Sequence, residues 1–333
     1  MTSANKQDKM ALRRALMIVL ILVVAYPGRA EQAKRIYRIG YLSLGFRNQP
    51  REKTFEDALQ SLGYVEGQTI AIEWRYAQEQ LERLPELASE LVRLKMDVIL
   101  TSGGYPAVQA AKDVTSAIPI VMVGVSDAVE LGFVKSLAHP GGNITGMSNF
   151  APELSGKLVE LTKEAIPKAA RVAVFIYGPS PNWKLYFKQM DGTAQSLRVQ
   201  LLPFQISGPD AIESSFETAN SKRADALIIP GSAFLNLYRQ RIITFATQNR
   251  LPTIAFSARW AEDGCPLSYG PNIAEFNRRA AVFVDKIFKG AKAADIPVER
   301  PTKFELVINL KAAKQIGLPI PPNVLGRADR VIR

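Results

Sequence analysis

Residues 97–129 are DVILTSGGYPAVQAAKDVTSAIPIVMVGVSDAV, and their pattern predicts one complete β-α-β unit. The apolar runs at 97–100 and 118–123 are typical of strands that are buried on both faces. Between them, residues 106–114 should form a helix with a proline near its start, where the missing N–H group costs nothing. Such a unit implies parallel strands and a right-handed crossover. Both following loops should then lie at the carboxyl edge of one sheet, where open α/β sheets bind ligands.

The same pattern recurs about 130 residues further along the chain. The matching pairs are DVIL at 97–100 with DALI at 225–228, IPIV at 118–121 with LPTI at 251–254, and QSL at 60–62 with QSL at 195–197. Three pairs in register argue for an internal repeat, although α/β units also resemble one another without one. Either interpretation predicts an α/β protein with two similar Rossmann-like lobes, each built on a parallel sheet.

The segments beyond the second repeat are predicted to join the two lobes. We assign residues 31–146 to lobe 1 and residues 147–268 to lobe 2, followed by an amphipathic helix in 269–297 that returns to lobe 1. Residues 298–333 then cross back as a strand and a helix on lobe 2. Because the chain would pass between the lobes several times, a multi-strand hinge should connect them.

Residues 1–30 have the layout of a secretory signal peptide. Lysines and arginines precede an apolar core at 16–24, and a small-x-small end follows at 28–30. The core is shorter than the roughly 20 apolar residues that a spanning helix needs, and an uncleaved anchor is the alternative. We expect cleavage after Ala30 and export of a soluble protein to the periplasm.

The composition excludes several kinds of site. The 333-residue chain is 47% hydrophobic and 22% charged, and it contains one histidine, His139, and one cysteine, Cys265. A zinc site with several histidine ligands and an intrachain disulfide are therefore impossible, and we expect neither a metal nor a cofactor. The net charge of +11 falls to about +7 without residues 1–30, and the basic residues form no long run. This indicates a solvated surface rather than a nucleic-acid groove.

The motifs of several enzyme classes are missing from the sequence. No GxGxxG follows the first predicted strand at 36–42, no GxxxxGK[ST] is present, and no paired-carboxylate motif stands out. We therefore expect a binding protein and not an enzyme.

The candidate ligand contacts are the residues that follow strand carboxyl ends in the two lobes. They are Ser43, Phe46, Ser102, Gly103, Gly104 and Asp127 in lobe 1, Tyr177, Gly231, Ser232 and Ser257 in lobe 2, and Tyr269 at a predicted crossing. The small residues at 101–104, next to a helix N-terminus, suit a carboxylate, but the glycines could equally serve a tight turn. Asp127 could pair with an ammonium group or cap the next helix. Tyr269 could stack on a flat ligand or pack under the hinge.

Four further motifs carry a resemblance to a known family. They are GFVKSLAHPGGNITG at 132–146, SYGP at 268–271, PTKFELVIN at 301–309 and RAD at 327–329. Together they resemble the ABC-transporter substrate-binding proteins of the tryptophan/tyrosine-type group, which have a type I periplasmic-binding fold. The chain departs from that pattern at Ala128, where a proline is expected, and at His139, where arginine is common.

The resemblance implies a monomeric, bilobal receptor that closes on a small organic solute, such as an amino acid or an aromatic compound. The receptor would deliver this solute to an ABC permease that is driven by a cytoplasmic ATPase. Two alternatives stay open at this point. One is a periplasmic subunit that senses a ligand for a membrane receptor, and the other is an enzyme on the same fold.

Overall fold

The computed structural model describes residues 35–47, 50–149, 152–179 and 183–333, without the side chains of Pro152, Glu153 and Leu185. The signal peptide predicted at 1–30 lies outside these residues. The strands are β1 Tyr37–Ser43, β2 Ile70–Tyr76, β3 Val98–Ser102, β4 Ile120–Val125, β5 Ile144–Ser148, β6 Arg171–Tyr177, β7 Gln200–Ile206, β8 Ala226–Ile229, β9 Thr253–Ala255, β10 Leu267–Pro271, β11 Phe304–Asn309 and β12 Arg330–Ile332. The helices are α1 Pro50–Ser61, α2 Leu84–Arg93, α3 Tyr105–Val114, α4 Pro152–Ala165, α5 Trp183–Ser196, α6 Ala211–Ser221, α7 Ala233–Leu237, α8 Arg239–Gln248, α9 Ala258–Glu262, α10 Ile273–Phe288, α11 Leu310–Gln315 and α12 Pro322–Leu325.

The strands form two sheets, one in each lobe. The first sheet has the order β2-β1-β3-β4-β5 and is parallel throughout. The second has the order β12-β11-β10-β9-β8-β6-β7 and is parallel except where β10 pairs with β11. The order β7-β6-β8-β9-β10 repeats the order β2-β1-β3-β4-β5, so the predicted α/β fold with two similar lobes is confirmed.

Two aspartates occupy equivalent positions in the lobes. Asp97 precedes β3, and its carboxylate accepts a hydrogen bond of 2.8 Å from the backbone N–H of Arg38 at the start of β1. Asp225 precedes β8, and its carboxylate accepts bonds of 2.9 and 2.8 Å from the N–H groups of Ala170 and Arg171 at the start of β6. The repeated aspartate therefore ties the first strand of each lobe to its central strand.

Each sheet is buried on both faces. In β3, Val98 and Leu100 belong to one hydrophobic cluster and Ile99 belongs to the cluster on the other face. In β8, Ile228 and Leu227 face opposite clusters in the same way. Full burial of such a side chain stabilises the fold by about 1.5–3 kcal/mol, which explains why both strands appear in the sequence as continuous apolar runs.

Three segments connect the lobes. The chain leaves β5 of the first sheet for α4, which packs on the second lobe. It returns after β10, because α10 packs on α1 and places Phe276 and Phe283 in a first-lobe cluster. It then passes Glu299, whose N–H donates to the carbonyl of Gly146 at 2.9 Å, before it enters β11.

Short elements differ most from the sequence prediction. Between β8 and β9 the structure has two helices, α7 and α8, which are separated at Tyr238. The short segments α9, α12 and β12 were not predicted, because three to five residues carry too little periodicity. In the part of the chain that the structure describes, no helix has the length and apolar character of a membrane span.

Candidate ligand-binding site

A cavity of about 530 Å³ lies between the two lobes. Its walls are the loops that follow β1, β3, β4 and β5 in the first lobe, the loops that follow β6, β8 and β9 in the second, and the first turn of α10. This volume falls within the range of about 300–1,000 Å³ that is usual for pockets that bind small organic molecules.

The structure brings eight of the eleven sequence-predicted contacts together on the wall of this cavity. They are Phe46, Ser102, Gly103, Gly104, Tyr177, Gly231, Ser232 and Ser257. They lie close together because parallel strands of both lobes end at the same cleft.

The glycines of the first lobe are required by the backbone. Gly104 is the N-cap of α3 and has a φ of 66°, which favours glycine. Gly103 has a φ of 146°, and a Cβ atom built on it would be 2.6 Å from the Cβ of Leu44. Because Gly104 has no side chain to accept bonds from the first N–H groups of α3, the positive end of the helix dipole lies open at the cavity wall.

The second-lobe contacts are partly engaged within the protein. The Ser232 hydroxyl accepts a bond of 3.2 Å from the N–H of Leu235 and so caps α7. The ring of Tyr177 stacks on Phe234, with 4.4 Å between the ring centroids. Burial raises the pKa of Tyr177, so its hydroxyl is a proton donor at neutral pH. Ser257 precedes α9, and its side chain makes no capping bond there.

Three predicted contacts do not line the cavity. Ser43 is fully buried behind the wall, where its hydroxyl accepts a bond of 3.2 Å from the N–H of Gly45. The Asp127 carboxylate accepts bonds of 3.0 and 3.2 Å from the N–H groups of Val129 and Glu130, so it acts as a cap.

Tyr269 is the third of these, and it packs within the second lobe. Its ring contacts Phe304 of the neighbouring strand at a centroid distance of 6.1 Å. The side chain of Tyr269 packs against the second-lobe core and is not among the residues that line the cavity. The packing alternative for Tyr269 is therefore the one that the structure shows.

Several aromatic side chains on the cavity wall were missed at the sequence level. They are Tyr105, Trp183, Tyr186, Phe187, Phe234, Phe256 and Phe276. Tyr105 and Trp183 begin the helices that follow strand-end loops. Extending the search from each loop into the next helical turn would have found both.

Within the described part of the chain, four charged lining residues were also missed, and two of them, Arg239 and Arg259, pair with a carboxylate. Nε of Arg239 is 2.5 Å from a carboxylate oxygen of Asp263, and Nε of Arg259 is 3.7 Å from the same oxygen. Burial raises the pKa of Glu79, and the nearby Arg239 opposes this shift. Arg51 has no carboxylate within 4 Å among the residues with described side chains.

Residues 49–332 match the family model of the ABC transporter substrate binding proteins. The chain belongs to this family. The family has the function that the sequence motifs predicted, the solute-binding component of an ABC importer.

Individual relatives agree with this assignment. The tyrosine-binding protein of Clostridioides difficile (strain R20291) is 28% identical over 267 residues, which are 80% of this chain and 76% of that protein. The structure of an ABC domain from Streptococcus pneumonia in complex with L-Trp has a TM-score of 0.82 at 24% identity, and it covers 90% of this chain and 100% of its own. The ligand-free, open structure of a substrate binding protein with adhesive properties from Clostridium difficile has a TM-score of 0.65 at 26% identity, and it covers 89% of this chain and 99% of its own. These similarities confirm the predicted bilobal periplasmic-binding fold.

Proposed function

We propose that this family member binds an aromatic amino acid, or a closely related aromatic compound, and delivers it to an ABC permease that a cytoplasmic ATPase drives. The observation that carries the proposal is the cavity between the lobes, in which strand-end loops of both lobes meet nine aromatic residues among those that the structure describes. A flat ring gains from such walls through burial and stacking, each stacked pair being worth about 0.5–1.5 kcal/mol beyond its burial.

Two relatives support the ligand class. One is named as a tyrosine-binding protein, and the other was solved with L-Trp. The 530 Å³ cavity is large enough for ligands of this size. We assign direct ligand contact to the eight predicted residues on its wall, with Phe46 and Tyr177 as the aromatic contacts among them.

We also propose that the protein binds its solute without changing it. His139 is exposed and Cys265 is buried, and neither lines the cavity. The side chains that do line it are suited to hydrogen bonding and stacking. The bound compound should therefore be recovered intact after denaturation of the complex, as mass spectrometry can establish; a converted product would contradict the proposal.

The ligand class is tested by thermal shift and titration calorimetry with the purified protein. We expect one-to-one binding of L-tyrosine or L-tryptophan, because a ligand at 100 times its dissociation constant adds about 2.7 kcal/mol to the stability of the folded state. Ribose and allitol serve as controls, because sugars and polyols offer no ring for stacking. Binding of a control but of no aromatic amino acid would overturn the assignment.

We propose that the mature protein acts in the periplasm as a monomer after removal of residues 1–30. The N-terminal sequence of protein recovered from the periplasmic fraction tests the cleavage, and light scattering tests the mass. A mature chain that keeps residues 1–30, or a dimer at micromolar concentration, would contradict this part of the proposal.

A further inference from the structure

Asn277 begins the second turn of α10 and lines the cavity as a buried residue that is 1% exposed. Its amide nitrogen donates a bond of 3.0 Å to the carbonyl oxygen of Ile273. This bond defines the orientation of the amide, because a flipped side chain would set two carbonyl oxygens against each other. Oδ1 is therefore the free end of the side chain, and no described residue donates to it.

The position of this amide is held by packing. The preceding residue, Phe276, is buried in the first-lobe core and packs against the end of β4. A Cβ atom built on Gly124 of that strand would be 3.1 Å from the ring of Phe276. The Asn277 oxygen is thus a preorganised acceptor, and leaving a buried acceptor unbonded costs free energy.

Arg51 supplies the complementary charge on the first-lobe wall. It lies in the first turn of α1, and its Nη2 is 3.4 Å from the buried hydroxyl of Ser43. Its Nε is buried without an acceptor, whereas the other lining arginines, Arg239 and Arg259, share Asp263. Glu79 is the one carboxylate among the lining residues whose side chains the structure describes, so the wall carries an excess of positive charge.

The guanidinium of Arg51 and the open end of α3 line the same cavity. A Cβ atom on Gly45 would be 2.5 Å from Nη2 of Arg51, and the N–H of Leu44 donates to the carbonyl of Ser102 at 2.9 Å. The loop that contacts the guanidinium is therefore bonded to Ser102, the last residue of β3, which lies two residues before the N-cap of α3. An anion at this place would meet both a guanidinium and the positive end of a helix dipole.

We propose that Arg51 and Asn277 are the polar recognition residues of the cavity, Arg51 binding a carboxylate of the ligand and the Asn277 oxygen accepting a hydrogen bond from its ammonium group. The ligand class is accordingly an organic acid that carries a donor group as well as its aromatic ring. This inference rests on the proposed function and adds two residues to which nothing in the sequence pattern pointed.

The test combines variants of the mature protein with analogues of the ligand. Titration calorimetry measures the affinity of each protein for each ligand. L-tyrosine or L-tryptophan, whichever binds, is compared with the deaminated acid, 3-(4-hydroxyphenyl)propanoate or indole-3-propanoate, and with the decarboxylated amine, tyramine or tryptamine. The protein variants are Asn277→Leu, which removes the acceptor at similar volume, and Arg51→Met, which removes the charge. Arg51→Lys is the conservative control.

We expect Asn277→Leu to weaken binding of the amino acid about 10- to 100-fold and to leave binding of the deaminated acid unchanged. Arg51→Met should weaken binding of the amino acid by a similar factor and leave binding of the decarboxylated amine unchanged, while Arg51→Lys should restore part of the loss. A purely structural role for either residue would weaken all three ligands equally and would overturn the inference.

The failure of this inference can be told apart from the failure of the proposed function. If the unchanged protein binds no aromatic amino acid, the proposed ligand class is wrong. If it binds one and the two variants bind as tightly as the unchanged protein, the ligand class stands and the recognition residues are wrong. Circular dichroism of each variant establishes that the fold is retained, and Asn277→Ala, which also removes the acceptor, replaces the leucine variant if that one does not fold.

Discussion

Gly270 lies in β10 at a point where the sheet leaves no room for a side chain. A Cβ atom there would overlap the carbonyl oxygen of Phe256, which belongs to the loop after β9. Phe256 and the next residue, Ser257, both line the cavity. The glycine therefore allows a cavity-lining segment to approach the neighbouring strand closely, a role for which every larger residue is too big.

Replacement of Gly270 by alanine is expected to lower both stability and ligand affinity. The overlap should cost about 1–3 kcal/mol or more, because main-chain atoms must move to relieve it. Urea denaturation measures the loss. The matched control is Gly192→Ala, at an exposed position within α5 with no atom within 4 Å, where alanine should stabilise the fold by about 0.5–1 kcal/mol. Equal effects of the two substitutions would contradict the packing argument.

Cys265 should be unreactive in the folded protein. The thiol is 1% exposed, its Sγ is 3.1 Å from the carbonyl oxygen of Thr253, and burial raises its pKa to about 12. At pH 8 the folded protein therefore holds about a thousandfold less thiolate than an ordinary cysteine would form. Burial also blocks the access of reagents to the sulfur atom. We expect no reaction with DTNB (5,5′-dithiobis-(2-nitrobenzoic acid)) in buffer and one thiol per chain in 6 M guanidinium. Rapid labelling of the native protein would show that this position opens readily.

Alkaline pH is expected to destabilise the protein through buried acids. The pKa of Cys265 is raised to about 12 by burial, and that of Tyr64 is raised to about 12 by burial and by its hydrogen bond to Asp285. Both groups ionise at lower pH in the unfolded chain, at about 8.5 for a cysteine and about 10 for a tyrosine. Their contribution to stability is therefore complete below pH 8 and is lost as the pH rises towards 12. The urea midpoint should fall between pH 8 and pH 10.5, and the fall should be smaller in Cys265→Ala.

At the scale of elements, α10 lies outside both repeats and contributes Asn277 to the cavity wall. Its N-cap is Asn272, whose side-chain oxygen accepts bonds of 3.0 and 3.4 Å from the N–H groups of Ala274 and Glu275. Further along the helix, the guanidinium of Arg279 donates two hydrogen bonds, of 2.8 and 2.5 Å, to the carboxylate of Glu299 in the segment that leads to β11. The helix is thus held at its start by a cap and along its length by an ion pair to the returning segment.

Removal of the cap tests how strongly the start of α10 affects the site. Asn272→Ala should lower the free energy of unfolding by about 1 kcal/mol and weaken ligand binding, because fraying of the first turn releases Asn277. Asn272→Ser retains a capping oxygen and should stay close to the unchanged protein in both measurements. If Asn272→Ala lowered the stability but left the affinity for ligand unchanged, the cap would not be needed for ligand binding.

At the scale of the whole molecule, the lobes touch at the mouth of the cleft as well as at the hinge. Ala233 and Leu237 of the second lobe pack on the first-lobe core, and Leu81 of the first lobe packs on a second-lobe cluster. A Cβ atom on Gly104 would be 3.1 Å from the Cβ of Ala233. Such close approach of the two loops requires small residues on both sides.

A bulky residue at this contact should hold the lobes apart. In Ala233→Trp we expect at least tenfold weaker ligand binding, since the indole must be displaced before the lobes meet, and small-angle scattering should give a larger radius of gyration with ligand present. Ser214→Trp, at an exposed position on α6, is the control and should leave both measurements unchanged. An unaltered affinity in Ala233→Trp would mean that contact at the mouth is not needed for binding.

The loops of the site could be predicted from the sequence, but the direction of each side chain could not. Strand ends are marked by apolar runs that stop at small residues, so Ser102, Gly104 and Ser232 were found. Asp127 follows the same rule, yet its carboxylate bonds to backbone N–H groups two and three residues ahead. Capping and ligand binding require the same residue type at the same place, and only the backbone geometry of the loop distinguishes them.

Local periodicity and the repeat at about 130 residues by themselves determine the two-lobed α/β architecture, because burial on both faces requires continuous apolar runs and parallel strands require crossovers. The tertiary structure alone decides which polar groups meet in the cleft. Arg51 comes from the first repeat and Asn277 from a helix more than 200 residues later that belongs to neither repeat. The contact between such distant segments depends on how α10 packs across the hinge, and the local sequence pattern contains no record of that packing.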